Sequence, residues 1–232
     1  MVTDQDKIWL SQHYSELTSN NTGVSGAIEF AATYNEQTHR FQIIEDDIFD
    51  EVGGVKLNGS FKINIQERVD KRFSDLPALY VENIDTIMDR HFSQIDKSAC
   101  LCSPLEENEF LLPTFQFQPF LEQLVIPFLY GQVYFTNKKH WPWQDLAHGG
   151  SGLLESYFRL SEPNKAEECV QRLSHVADWE QIKRALMQKS EVKGHTPCFC
   201  PKKDHIRRCH PDAWKGIQKL KGDIKALGIK VY

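Results

Sequence analysis

Four residues near the C-terminus have the types and spacing of a metal site. The segment His195-Thr-Pro-Cys198-Phe-Cys200-Pro-Lys-Lys-Asp-His-Ile-Arg-Arg-Cys209-His210 reads C-x-C-x8-C-H. Thiolate and imidazole are the ligands zinc prefers, and four of them in a tetrahedron close a structural site. The C-x-C pair can clamp one side of an ion. The eight intervening residues can turn back, so that the adjacent Cys209 and His210 complete the set. Lys202, Lys203, Arg207 and Arg208 would offset the charge of three thiolates. His195 and His205 are read as bystanders or alternative ligands.

A second group of residues could do nucleophilic chemistry. Cys100 and Cys102 lie in a stretch, residues 85 to 114, without regular hydrophobic periodicity. Long irregular stretches inside a domain are commonly functional. An acyl-carrying cysteine needs an accessible thiolate in such a segment. Cys100 has the small Ser98 and Ala99 before it, which would leave room for a bulky substrate tail, and it is preferred as the nucleophile because Leu101 follows it. Cys102 is the rival, and in an extended stretch it would face the same side. Backbone N–H groups near Cys100, His91 nine residues upstream, or His148 could support an oxyanion. Of the two histidines His91 is nearer in sequence, and its simpler reading is a structural residue. His148 opens a glycine-rich turn, His148-Gly-Gly-Ser-Gly152, whose N–H groups could bind an anion or line a cleft. The simpler reading is a helix-entry loop. Cys169 falls on an apolar helical position and reads as core.

These residues need elements to position them. Thr3 can cap an opening helix over residues 3 to 18, with Leu10, Tyr14 and Leu17 at helical spacing. Ser19 to Gly23 reads as a turn. Ile28, Phe30, Ala32 and Tyr34 alternate, then Phe41 and Ile43, then Phe61, Ile63 and Ile65 after Gly53-Gly54. Leu79, Val81 and Ile84 suggest a further strand. This pattern predicts a four-stranded antiparallel meander with one buried face. An apolar helix over Phe117 to Tyr134, bent near Pro127, follows. Trp141 and Trp143 are expected to pack the sheet against helices. Leu153 to Leu160 is amphipathic. Ser161-Glu-Pro-Asn164 marks the boundary between a first domain, 1–160, and a helical second, 161–232. The second has helices around Val170, Leu173 and Val176, around Trp179, Ile182 and Leu186, and from Trp214 to Leu227.

The C-x-C-x8-C-H segment resembles the SEC-C motif, a small zinc-binding module found at the C-terminus of the protein-translocation ATPase and in many bacterial proteins. That family usually places glycine-serine-glycine after the second cysteine, where this chain has Pro201-Lys202-Lys203. The resemblance implies structural zinc on Cys198, Cys200, Cys209 and His210, and a role in protein contacts.

The order helix, meander, irregular cysteine segment and helices resembles the ubiquitin-conjugating enzymes. Phe61-Lys-Ile-Asn-Ile65, Phe73-Ser-Asp-Leu-Pro77 and Leu79-Tyr-Val81 are similar to that fold's third strand, proline-marked turn and fourth strand. His91 and Cys100-Leu101 are similar to its flap histidine and catalytic cysteine. The family's histidine-proline-asparagine is His91-Phe92-Ser93 here, so the oxyanion-supporting asparagine is missing at its expected position. The resemblance is closer to divergent bacterial members of anti-phage and ubiquitin-like conjugation operons. It implies an α+β, UBC-like fold. The implied activity is acyl transfer: Cys100 takes a ubiquitin-like protein, or another protein C-terminus, from an activating enzyme as a thioester and passes it to an amine. An acceptor protein docked by the zinc module would be a further partner. The alternative is an inactive UBC-like adaptor that keeps the sheet and the zinc module.

Composition limits the field further. The chain has 232 residues, with 41% hydrophobic, 11% aromatic and 25% charged residues, the proportions of a globular protein. Its 32 acids against 27 bases give a net charge of −5, which argues against nucleic acid as a partner. The most apolar stretch, 115–135, is too interrupted to span a bilayer. With an acidic N-terminal segment lacking a signal layout, the expected location is cytoplasmic, where cysteines stay thiols or bind metal.

Overall fold

The computed structural model describes residues 2–20, 22–44, 52–71, 74–143 and 145–231. Two residues of the sequence reading, Asn21 in the first turn and Phe73 in the proline-marked turn, lie outside the described residues. The chain forms an α+β structure with an antiparallel sheet, and it divides into two compact units.

The first unit comprises residues 1–69, 76–102 and 108–145. Helix α1 (Asp4–His13) starts at a capping box. The Asp6 N–H donates to Thr3 Oγ1 at 3.2 Å, and the Thr3 N–H donates to Asp6 Oδ2 at 2.8 Å. The helix ends at His13 rather than at residue 18. Leu17 belongs instead to a three-residue strand, β1 (Leu17–Ser19), paired with β2 (Gly23–Asn35). A strand that short has no readable period of its own, and sheet pairing overrides local helix preference. Strands β3 (Arg40–Ile43), β4 (Val55–Gln66) and β5 (Ala78–Val81) complete the sheet; Ile84 lies beyond it.

Among the described residues the sheet therefore has five strands where the alternation predicted four. The path β1–β2–β4–β5 is antiparallel throughout, and β3 pairs with the end of β2. Because β4 pairs with β2 from Gly23 to Tyr34, β1 and β3 share the opposite edge of β2, at its two ends. Ile28, Phe30, Ala32 and Tyr34 are buried on one face, as their alternation requires. They pack with Ile63, Ile65, Leu79 and Val81 against an apolar helical rod. That rod runs through α3 (Phe117–Phe120), a π-helical turn (Leu121–Val125) and α4 (Ile126–Lys138). The π turn absorbs Pro127. Proline has no N–H to give the preceding turn, and the wider turn closes instead with Ile126 N–H donating to the Leu121 carbonyl. Phe117, Phe120, Leu121, Val125, Ile126 and Leu129 are wholly buried along it. Each such side chain stabilises the fold by about 1.5–3 kcal/mol. Trp143 stacks edge-on against Tyr34 of β2, as expected of a sheet-to-helix packing residue. Before the rod lie a 3-10 turn (Met88–Arg90) and a short helix, α2 (Asn108–Leu111).

The second unit comprises residues 70–75, 103–107 and 146–232. Its main segment starts at Leu146, ahead of the residue-161 boundary that the sequence suggests. Helix α5 (Gly149–Leu160), placed by the sequence boundary in the first domain, packs here. Its partner is α9 (Pro211–Leu227). The two backbones approach so closely that a Cβ on Gly216 would lie 2.0 Å from the Leu154 carbonyl oxygen. Tyr157 of α5 donates to Asp223 of α9 at 2.6 Å, and Lys219 reaches the same carboxylate at 2.9 Å. A turn of proline and glutamate looks like a linker by composition, but the helix before it carries Leu154 and Tyr157 into this core. Helices α6 (Ala166–Leu173), α7 (Trp179–Met187) and α8 (Ile206–Cys209) complete the unit. The end of α7 is closed by Lys221, whose ammonium donates to the carbonyls of Ala185, Gln188 and Ser190. Among the described residues no helix is long and apolar enough to cross a membrane.

Candidate functional site

The cysteine-rich loop is held by backbone pairing across its neck. Pro197 and His205 form an antiparallel bridge. Cys198 N–H donates to the Asp204 carbonyl at 2.7 Å, and Ile206 N–H to the Thr196 carbonyl at 2.9 Å. This places Cys198 and Cys200 on the loop, Cys209 at the end of α8 and His210 at the joint between α8 and α9. The four donor atoms lie within 4.8 Å of one another. Cys198 Sγ is 3.1 Å from His210 Nδ1, and Cys200 Sγ is 3.5 Å from Cys209 Sγ. A tetrahedral ion with sulfur bonds of about 2.3 Å needs ligand separations of about 3.8 Å. The four side chains bracket that value, so the cluster could hold a metal ion. His195 and His205 stand outside it, with their rings 6.5 Å apart.

The surroundings prepare the sulfurs unequally. Burial pushes the Cys198 thiol up. Burial acts in the same direction on Cys200, but hydrogen bonds from Cys209 and from the Lys202 and Lys203 N–H groups outweigh it and hold Cys200 below its ordinary value. Cys209 is pushed up to about 12 by burial, then by its bond to Cys200 and the nearby Cys198. Three crowded thiols resist ionising together, and a dication removes that conflict. Lys203 is less a counter-charge than a strut: its ammonium donates to Gln181 Oε1 at 2.8 Å and to the Phe199 carbonyl at 3.1 Å.

In the first unit, His91 and Cys100 meet through backbone. Cys100 N–H donates to the His91 carbonyl at 2.8 Å, and Ser93 N–H to the Ser98 carbonyl at 2.8 Å. Phe92 and Ala99 pair between them, both buried. Ala99 N–H also donates to the Leu79 carbonyl on β5, which seats this flap along the sheet edge. Ser98 and Ala99, expected to leave room beside the cysteine, are buried instead: the pairing with Phe92 and β5 turns them inward. Cys100 is exposed, whereas Cys102 is half-buried against the apolar core. Residues 100–102 belong to no strand.

Two charged groups bear on Cys100. Arg68 Nη1 donates to Asp96 Oδ2 at 2.9 Å and to Ser98 Oγ at 3.1 Å. Crowding of the sulfur by protein pushes the thiol up to about 11; Arg68 opposes that shift and Asp96 adds to it. Asp96 is raised by burial, but bonds from Ser93 and Ser98 and the Arg68 charge hold it below the ordinary value. The His91 imidazole is engaged elsewhere: Nε2 lies 2.8 Å from Asp145 Oδ1, and the ring packs edge-on against Trp141 at 4.5 Å. His148 belongs to the second unit, as the residue before α5, and is exposed there.

The sequence reading missed Arg68, Asp96 and Asp145. Arg68 and Asp96 sit among other charges and Asp145 follows a tryptophan-rich stretch, so nothing local marks them, and only the fold brings them to the flap. No family model, curated protein or solved structure matches this chain.

Proposed function

We propose that this protein is a ubiquitin-conjugating-like acyl carrier, with Cys100 as the thioester cysteine and a zinc ion on Cys198, Cys200, Cys209 and His210. The observation that carries the reading is the flap itself. It presents an exposed cysteine immediately after a paired segment whose first residue is His91. An antiparallel sheet precedes it and a long apolar helix follows, the order of elements in that family. The Cys100 thiolate attacks the carbonyl carbon of a thioester on the activating enzyme. A new C–S bond forms, and the activating enzyme's cysteine leaves as thiolate. An acceptor amine then attacks the same carbon, a C–N bond forms, Cys100 leaves as thiolate and the amine loses its proton. Arg68 is the cation that favours the thiolate in both steps. Zinc would tie the loop and α9 together. Exposed Lys193, Lys202, Arg207 and Arg208 around it suit an acidic protein surface.

The raised Cys100 pKa also favours a second reading, an adaptor on the same fold whose thiol stays protonated. Intact-mass spectrometry separates the two. The protein is incubated with ATP and with a ubiquitin-like protein and activating enzyme encoded beside it. A reducible adduct on Cys100 supports the carrier. No adduct, from a reaction in which the activating enzyme charges itself, leaves the adaptor.

A further inference from the structure

The glycine-rich turn His148-Gly-Gly-Ser-Gly152 has no part in the function proposed above, yet its geometry is specific. Ser151 is 1% exposed, and its Oγ lies 3.9 Å from Sγ of Cys198, which is itself wholly buried. Three glycines allow that approach. Gly149 has φ +66°, a left-handed conformation that side chains rarely adopt. A Cβ on Gly150 would lie 2.3 Å from Ile182 Cδ1, and one on Gly152 would lie 1.7 Å from the Ala147 carbonyl oxygen. The chain therefore enters α5 in a tight turn, with Ser151 in the first helical turn and its hydroxyl against the cysteine. A buried hydroxyl costs free energy unless it finds a partner. The sulfur of Cys198 is the partner that the structure gives it.

We propose that Ser151 is an outer-sphere hydrogen-bond donor to the Cys198 thiolate of a bound metal ion, and that the glycine-rich turn serves to bring it there. The inference rests on the metal reading of the four-residue cluster and is independent of Cys100. The hydroxyl withdraws electron density from a thiolate crowded by two others. The N-terminal end of α5, partially positive, acts in the same direction. Groups of this kind around a metal site typically affect affinity 10- to 100-fold. The bond also links the start of α5 to the start of α9, since His210 directly precedes Pro211. The metal centre thus joins the two helices that form the heart of the second unit.

The test uses the full-length chain. Zinc affinity is measured by competition with a chromogenic chelator, and the cobalt(II) form by its thiolate-to-metal charge-transfer absorption. Ser151→Ala is expected to weaken zinc binding by about 10- to 100-fold and to move the charge-transfer band to lower energy. Ser156→Ala is the matched control: the same change in the same helix, at a buried hydroxyl with no hydrogen-bond partner. It should leave affinity and band unchanged. If Ser151→Ala fails to fold, Ser151→Thr keeps the donor and should keep the wild-type band. The proposal is overturned if Ser151→Ala binds like wild type with an unshifted band, or if Ser156→Ala weakens binding equally. It is overturned too if Ser151→Thr shifts the band, or if the wild-type chain binds neither zinc nor cobalt.

Discussion

Asp145 Oδ1 sits 2.8 Å from Nε2 of His91, the residue whose carbonyl takes the Cys100 N–H. His91 has φ +57°, so the flap turns through a left-handed residue that is not glycine. The carboxylate and the face of Trp141 hold the ring of a residue whose backbone is strained. Asp145→Ala should cost at most about 1 kcal/mol of global stability, because Asp145 is partly solvated. Locally the effect should be larger. Hydrogen exchange of a peptide covering 91–100 should speed up, and an unchanged exchange rate would mean that the pair does not hold the flap.

Cys100 should alkylate slowly at neutral pH. Its thiol ionises near pH 11, so the iodoacetamide rate should keep climbing through pH 9, where an ordinary cysteine levels off. Arg68 lowers this pKa and Asp96 raises it. Arg68→Ala should therefore slow alkylation at pH 9, and Asp96→Asn should accelerate it, read on the Cys100 peptide by mass spectrometry so that the other five thiols do not contribute. Opposite signs would show that these charges do not act on Cys100 as placed.

Metal removal should act on the second unit. A ligand present at a thousand times its Kd stabilises by about 4 kcal/mol. A zinc chelator should lower the stability of residues 146–231 by that order, as should Cys198→Ser. The ligands must be deprotonated to bind, so affinity should fall as pH falls. Thermal unfolding with and without chelator, at pH 6 and pH 8, checks both statements.

Glu107 gives a pH effect of the opposite kind. It is 2% exposed, accepts the Asp75 N–H at 2.7 Å and lies 3.7 Å from Arg172. Burial raises its pKa, against bonds from Ser74 and Asp75 and the Arg172 charge. A carboxyl raised on folding stabilises most when protonated. Its contribution is complete below pH 4.5 and is lost as pH rises through the folded value. Glu107→Gln keeps an acceptor for Asp75 and should flatten the fall in stability as pH rises above 4.5. A profile unchanged by the substitution would assign that slope to other groups.

What could be read from the chain follows from the range of each signal. The metal cluster was legible because its four ligands fall between residues 198 and 210, where spacing alone carries the chemistry. Strands β2 and β4 were legible because a buried face forces alternation on Ile28 to Tyr34 and on Phe61 to Ile65. Strand β1 was not, since three residues carry no period, and α5 was cut from its unit because Ser161-Glu-Pro-Asn164 looks like a linker. Asp145 meets His91 across more than fifty residues, and Arg68 meets Ser98 across thirty. Pairings of that kind depend on the fold and leave no local pattern. The glycines around Ser151 stand out in the sequence, but the closeness of Ser151 to Cys198 is visible only in the fold.

The compactness of the cysteine knuckle affects how the chain folds. All four ligands fall within a closed loop of 13 residues, Cys198 to His210. Bringing the ends of so short a loop together has a low entropic cost and occurs within about 10–100 ns. The ligands therefore stay near one another even when the surrounding helices have melted. An ion can be captured before the rest of the second unit forms, and α9, which starts at the next residue, can grow from that anchored point. The same property limits the metal's hold on the native state, because an unfolded chain that still binds zinc gives back part of the stabilisation.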